Sequence, residues 1–233
     1  MAETILNGYL INKVDYQVFD EVLTILAEDG NKYSCLSLGS RKIMSKNSRN
    51  LFYGSKIEFQ FFQARNEQKM SKFKKAILLE DSIWEMQSNK KMFVLNEIIS
   101  YIPASNTLFS YYENNLKQIK LNEEDDDTFI LKLLSEFCLY IGISLEVNKC
   151  VRCSSKVLST ISFKHSGMLC ENCRRDLHTN AYDIRLSKLI HLLFNKKYDS
   201  IHNYYDLFSY AIKCIKQFIF DTAGIKLFSL KEY

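Results

Sequence analysis

Cys150, Cys153, Cys170 and Cys173 form a C-x-x-C…C-x-x-C pattern with sixteen residues between the pairs. Each pair places two thiolates around one tight turn. The interval is long enough for a short hairpin that returns the second pair to the first. Four thiolates then converge on a tetrahedron, the donor set of one structural zinc ion with no open coordination position. The stretch from about 147 to 175 therefore reads as a zinc ribbon. Its middle, Val157–Phe163, alternates as a strand, His165-Ser166-Gly167 supplies a turn, and Met168-Leu169 makes the return. So small a ribbon has little core of its own, and metal binding is expected to contribute on the order of 10 kcal/mol to its folding. Lys149, Arg152, Lys156, Lys164, Arg174 and Arg175 surround the cysteines. They read first as cations that offset thiolate charge and donate to the sulfurs, and second as an extension of a nucleic-acid surface.

The remaining three cysteines, Cys35, Cys138 and Cys214, sit in apolar contexts and read as buried thiols. An odd count of seven, four of them in metal spacing, argues against a disulfide scaffold and fits a reducing cytoplasm. Met1-Ala2-Glu3-Thr4 lacks the basic start and apolar core of a signal peptide. No apolar run reaches bilayer length, so no membrane role is expected.

The net charge of +4 conceals an asymmetry. Gly39 to Lys75 holds ten Lys and Arg against two Glu, whereas the rest holds 21 basic and 25 acidic residues. A local basic surface points to a polyanionic partner, although charge alone also fits a solubilising lysine-rich face.

Periodicity divides the chain at about residue 82. Residues 1–82 read as five strands: Ile5–Val14, Glu21–Ala27, Lys32–Leu38, Ser55–Ala64 and Phe73–Trp84, the last running just past the boundary. Asp29-Gly30 supplies a tight hairpin turn, and one longer loop spans Gly39–Gly54. That order predicts an OB-fold barrel, with an SH3-like barrel as the nearest rival. Residues 83–233 read as an α-helical domain with the ribbon inserted, which makes the chain an α+β multidomain protein. Helices are expected at Lys90–Ile102, from a Ser105 cap to about Ile119, at the stripe Ile130, Leu133, Leu134, Phe137 and Ile141, at Asp183–Lys196 and at Ser200–Phe220. The acidic run Glu123–Asp127 reads as favourable charge at a helix N-terminus, with a docking site as its rival.

Arg41, Lys42, Lys46 and Arg49 occupy the long loop, and Lys69, Lys72, Lys74 and Lys75 form a second cluster before the last strand. Both sets are candidate nucleic-acid contacts, with a lysine-rich surface that merely solvates a hairpin as the alternative for the second. Phe52 and Tyr53 follow the loop and either stack on bases or pack on the barrel. No phosphate-binding glycine loop or nucleophile elbow occurs, and the four histidines form no metal pair, so no enzyme is expected.

The chain resembles the bacterial recombination mediator family RecO. The resemblance begins at Gly8-Tyr9-Leu10-Ile11 and continues through Val22–Leu26 to Asp29-Gly30-Asn31-Lys32. It is most specific at Leu38-Gly39-Ser40-Arg41-Lys42 with Ser45-Lys46, and it returns at Cys150-Val151-Arg152-Cys153 and at Gly167–Cys173. It implies an OB-fold, a helical domain and a zinc ribbon. It further implies binding of single- and double-stranded DNA, annealing of complementary strands, and partnership with RecR in loading RecA onto DNA coated by single-strand-binding protein, whose own contact with the chain is left open. A zinc-stabilised scaffold that acts mainly through protein contacts is the alternative.

Overall fold

A computed structural model describes residues 3–64, 70–80 and 89–233. The chain divides into two compact units, Met1–Glu123 and Glu124–Tyr233. The boundary expected near residue 82 falls outside the described residues.

The first unit is built on five strands: β1 (Glu3–Tyr16), β2 (Asp20–Ala27), β3 (Lys32–Ser37), β4 (Lys56–Phe62) and β5 (Ser71–Glu80). They close into a barrel in the order β1-β2-β3-β5-β4, with β4 returning to β1. All neighbours are antiparallel except β3 and β5, where Cys35 pairs with Ser71 and Leu36 with Lys72. This is the five-stranded Greek-key barrel of the OB-fold. The expected end of the last strand at Trp84 lies outside the described residues.

Closure depends on β1, whose Gly8 and Tyr9 pair with β2 on one side and β4 on the other. A Cβ on Gly8 would stand 2.4 Å from the Leu26 carbonyl oxygen, so this close approach requires glycine. Inward residues of alternating strands fill the barrel, among them Leu23, Ile25, Ile57, Phe59 and Phe61. Phe59 and Phe61 are stacked with ring centres 5.4 Å apart.

Two helices share this unit: α1 (Lys90–Tyr101) and α2 (Leu108–Leu121). The Asn89 side chain caps α1 by accepting from the Met92 amide. Its other end is held from the barrel, where Lys32 Nζ donates to the carbonyls of Ile99 at 3.1 Å and of Ser100 and Ile102 at 2.7 Å. Tyr9 packs on Phe109 and Tyr112 and donates its hydroxyl to Glu113 at 3.0 Å. Ser105 does not cap α2 with its side chain. Its backbone carbonyl accepts from Leu108, and the helix starts three residues later than Ser105.

The second unit opens with α3 (Asp126–Tyr140) and continues through β6 (Thr160–Ser162), β7 (Gly167–Leu169), α4 (Glu171–Asp176), α5 (Ile184–Phe194) and α6 (Phe208–Ala223). The stripe Ile130, Leu133, Leu134 and Phe137 of α3 is buried, as are Phe208, Ala211, Ile212, Ile215 and Phe218 of α6, and these two helices pack together. The expected single helix over Ser200–Phe220 is two pieces, since Tyr198–Leu207 is a kinked 3₁₀ segment. Only Ile201 is buried in that segment, and Asp206 is turned to a bidentate pair with Arg185 at 2.7 and 2.8 Å.

The acidic run serves α3. Asp125 is its N-cap, accepting from the Thr128 amide at 3.0 Å and hydroxyl at 2.6 Å. Glu124 pairs with Lys132, and Asp127 accepts from Ser209 and Tyr233. Charge at a helix N-terminus is the reading that holds.

Candidate metal centre and nucleic-acid interface

The four cysteine sulfurs lie within 4.8 Å of one another. Two turns and a hairpin bring them there. At the first pair, the Ser154 amide donates to the Cys150 carbonyl at 2.9 Å, with Ser154 in the left-handed region at φ 61°. The second pair opens α4, with Cys170 as its N-cap. Between them β6 and β7 pair antiparallel, and the Ser162 hydroxyl meets His165 Nδ1 at 2.9 Å across the turn. The first of these strands is shorter than expected, because Val157 faces solvent rather than a core.

Gly167 locks the hairpin to the incoming chain. The Met168 amide donates to the Glu146 carbonyl at 2.8 Å, and the Val151 amide to the Met168 carbonyl at 3.0 Å. A Cβ at Gly167 would lie 2.4 Å from the Glu146 carbonyl oxygen and 2.6 Å from Val151 Cγ1. The ribbon is also fastened to α5. The Ile161 amide donates to the Ser187 hydroxyl at 3.0 Å, and the side-chain amides of Asn148 and Asn195 exchange hydrogen bonds at 3.2 and 3.1 Å. His191 is half-buried, with Nδ1 2.9 Å from the Val147 carbonyl oxygen, which marks it as a structural ring.

This donor set fits a tetrahedral metal ion. Metal–sulfur bonds of about 2.3 Å imply sulfur–sulfur edges of about 3.8 Å, and Cys153 and Cys170 are 3.6 Å apart. Cys150, Cys170 and Cys173 are buried with Leu169, and Cys153 faces solvent. Burial acts to raise the Cys150 thiol, but the amides of Cys170, Cys153 and Arg152 outweigh it and bring the group down to about 6. Cys173 is pushed up to about 12 by burial and by hydrogen bonds with the other three sulfurs. Four sulfurs at one point release a first proton readily and hold a last one. A divalent cation removes that conflict by taking all four as thiolates.

The nearby arginines do something other than the expected donation to sulfur. Arg174 and Arg175 donate to Glu171 at 2.6 and 2.8 Å, and Arg152 pairs with Asp176 at 3.1 Å. Hydrogen bonds from Arg174, then from Ser159, hold the Glu171 carboxyl down at about 2. What lowers the Cys150 thiol, against burial, comes first from backbone amides, which the sequence pattern does not reveal.

The other feature is the basic loop. Its front half is fixed to the β1–β2 turn. The Gly39 amide donates to the Asp20 carboxylate at 2.7 Å, the Arg41 amide to the Phe19 carbonyl at 3.0 Å, and the Arg41 guanidinium lies 3.1 Å from Asp15. Its back half is fixed to β5. Asn47 donates to the Lys74 carbonyl at 3.2 Å and accepts from the Ala76 amide at 3.4 Å, and Asn50 donates to the Ala76 carbonyl at 2.8 Å. Lys46 and Arg49 flank these asparagines, so they stand beside the strand that carries Lys72, Lys74 and Lys75.

A β-bulge controls that strand. Gln60 pairs with Lys75 and Phe61 with Phe73, which leaves Lys74 as the extra residue and sends Lys74 and Lys75 both outward. Lys74 is engaged by Glu3 at 2.7 Å. Arg41, Lys42, Lys46, Arg49, Lys72, Lys74 and Lys75 are all exposed, and Lys69 lies outside the described residues. Tyr53 is half-buried with the barrel core, with its ring edge-on to Phe93 at 6.1 Å, so it packs on the barrel.

Residues 95–208 match the family described as Recombination protein O C terminal. A DNA repair protein RecO of Mesoplasma florum is 24% identical over 246 aligned residues, covering 100% of this chain and 91% of that protein. A DNA repair protein RecO of Mycoplasma mycoides subsp. mycoides is 29% identical over 207 residues, covering 84% of this chain and 82% of that protein. The chain is similar to RecO proteins over its whole length. The matched segment runs from Leu95 in α1 to Phe208 at the start of α6, and it contains all four cysteines. The basic loop precedes that segment and falls within the match to the Mesoplasma protein. Among the described residues, no helix is long and apolar enough to cross a membrane.

Proposed function

We propose that this chain is a non-enzymatic recombination mediator in DNA repair that binds single- and double-stranded DNA through its barrel and anneals complementary strands. The observation that carries the reading is the exposed set Arg41, Lys42, Lys46 and Arg49, presented by one loop on an OB-fold barrel and continued by Lys72, Lys74 and Lys75 on β5. The RecO relatives, named as DNA repair proteins, support it. Cations in such a place draw in phosphates and release counterions. Two strands held in a neutralised field repel each other less, which favours their pairing. Lys69 is included among the contacts on its sequence position.

The metal in this reading is one structural zinc ion on Cys150, Cys153, Cys170 and Cys173. Four thiolates suit zinc and leave it no position for a substrate. The protein partner in this reading is RecR, with RecA involved functionally through its loading onto DNA coated by single-strand-binding protein. The scaffold alternative would dock through the acidic run, of which Glu124, Asp125 and Asp127 already serve α3.

The test is an annealing assay with complementary oligonucleotides, with Arg41, Lys42, Lys46 and Arg49 changed together to Ala. The reading expects annealing to slow severalfold with folding intact. An unchanged rate would remove the loop from the mechanism.

A further inference from the structure

We propose that two turn tips beside the basic loop, Val18–Phe19 and Ile43–Met44, form an apolar wedge that contacts the unpaired bases of a single strand while the neighbouring cations hold its phosphates. The inference rests on the nucleic-acid reading above and names the part of the strand that this surface meets.

Two turns follow each other in the loop. The Lys42 amide donates to the Gly39 carbonyl at 3.2 Å, and the Ser45 amide to the Lys42 carbonyl at 2.9 Å. The second turn sets Ile43 and Met44 at its two central positions, where Ile43 is 96% exposed and Met44 84%. Tight turns in water are ordinarily made by Gly, Pro, Asn, Asp or Ser, so two large apolar side chains at this tip call for a use. The β1–β2 turn carries a second exposed pair, Val18 and Phe19. The two turns are tied together, since the Arg41 amide donates to the Phe19 carbonyl and Lys42 Nζ sits 5.6 Å from the Phe19 ring centre. Isolated exposed apolar residues are ordinary, but two exposed pairs on turns tied to each other are not.

The charge pattern selects the occupant. Arg41 and Lys42 precede the Ile43–Met44 tip, and Lys46 and Arg49 follow it. A partner that satisfies both must offer apolar faces between regularly spaced negative charges. A single nucleic-acid strand does so, with bases between phosphates. Aliphatic side chains wedge between base steps, and aromatic rings stack on bases. A duplex hides its base faces, so the wedge favours unpaired DNA.

The test measures fluorescence anisotropy of two labelled probes, an oligothymidylate and an abasic deoxyribose-phosphate chain of the same length. The whole chain is used in three forms: unchanged, with Ile43→Ser and Met44→Ser, and with the four loop cations changed to Ala. The wedge predicts that the Ser pair weakens oligothymidylate binding about tenfold with the salt dependence unchanged, and leaves binding of the abasic chain as it was. Equal affinity of the unchanged and Ser forms for oligothymidylate overturns the wedge, as does an equal loss on both probes. If the cation variant alone binds weakly, the wedge fails and the nucleic-acid reading stands. If both variants bind as the unchanged chain does, both fail. Loss of self-association in the Ser form with DNA binding intact assigns the patch to a second copy and also overturns the proposal. Melting curves confirm that each variant is folded.

Discussion

The Arg41 guanidinium stands 3.1 Å from the Asp15 carboxylate, with both groups exposed, so an internal anion competes with phosphate for the loop's first cation. An exposed pair of this kind contributes about 0–1 kcal/mol, which a phosphate contact can replace at little cost. Changing Asp15 to Asn should tighten binding to single-stranded DNA without loss of stability. The log–log salt slope should stay as it is, because Arg41 already counts among the phosphate contacts of the unchanged chain. Anisotropy titrations at several salt concentrations read both. Unchanged affinity would mean that Arg41 does not meet phosphate.

The metal centre is expected to hold the ribbon and to leave the barrel alone. Removing the metal with a chelator, or changing Cys150 to Ser, should expose the amides of about 147–175 to hydrogen exchange, since metal binding contributes on the order of 10 kcal/mol to such a site. The Ile161–Ser187 and Asn148–Asn195 hydrogen bonds to α5 should loosen with it. Strands β1–β5 should keep their protection. A ribbon equally protected without metal would show that its packing suffices.

Asp125 gives a pH signature to α3. Burial works to raise its carboxyl, but hydrogen bonds from the Thr128 hydroxyl and amide outweigh burial and hold it below its ordinary value of 3.8. A carboxyl lowered by folding stabilises the folded state above its unfolded pKa, and that contribution is lost as pH falls through the lowered value. Changing Asp125 to Ala should cost about 1 kcal/mol at neutral pH. The difference in melting temperature from the unchanged chain should shrink as pH drops below 3.8. A gap independent of pH would mean that the ionised cap is not its source.

Period-two alternation made the barrel strands legible, and the C-x-x-C pairs made the cysteine cluster legible, because each is a local pattern that only a few structures satisfy. The stripes on α3 and α6 were equally plain. What stayed hidden depends on distant partners. Nothing near Lys32 announces that it caps α1 through three carbonyls some seventy residues on. Arg174 and Arg175 read as donors to sulfur until Glu171, only three and four residues back, is seen to take them both. The break before Phe208 was passed over because Tyr198–Leu207 leads directly into the α6 stripe, although its Tyr, Asp, Ser, His and Asn are weak helix formers and its Asp206 is claimed by Arg185 on another helix. The bulge that turns Lys74 and Lys75 outward together is set by pairing with Gln60 and Phe61, which no property of β5 alone reveals.

The central claim is that one loop on the barrel grips the sugar–phosphate backbone, and the salt dependence of single-stranded DNA affinity tests it most directly. Four phosphates neutralised by Arg41, Lys42, Lys46 and Arg49 correspond to a log–log slope of roughly −3. Changing all four to Ala should lower affinity at low salt and flatten the slope by about that amount. A variant that folds normally yet keeps the affinity and slope of the unchanged chain would contradict the account.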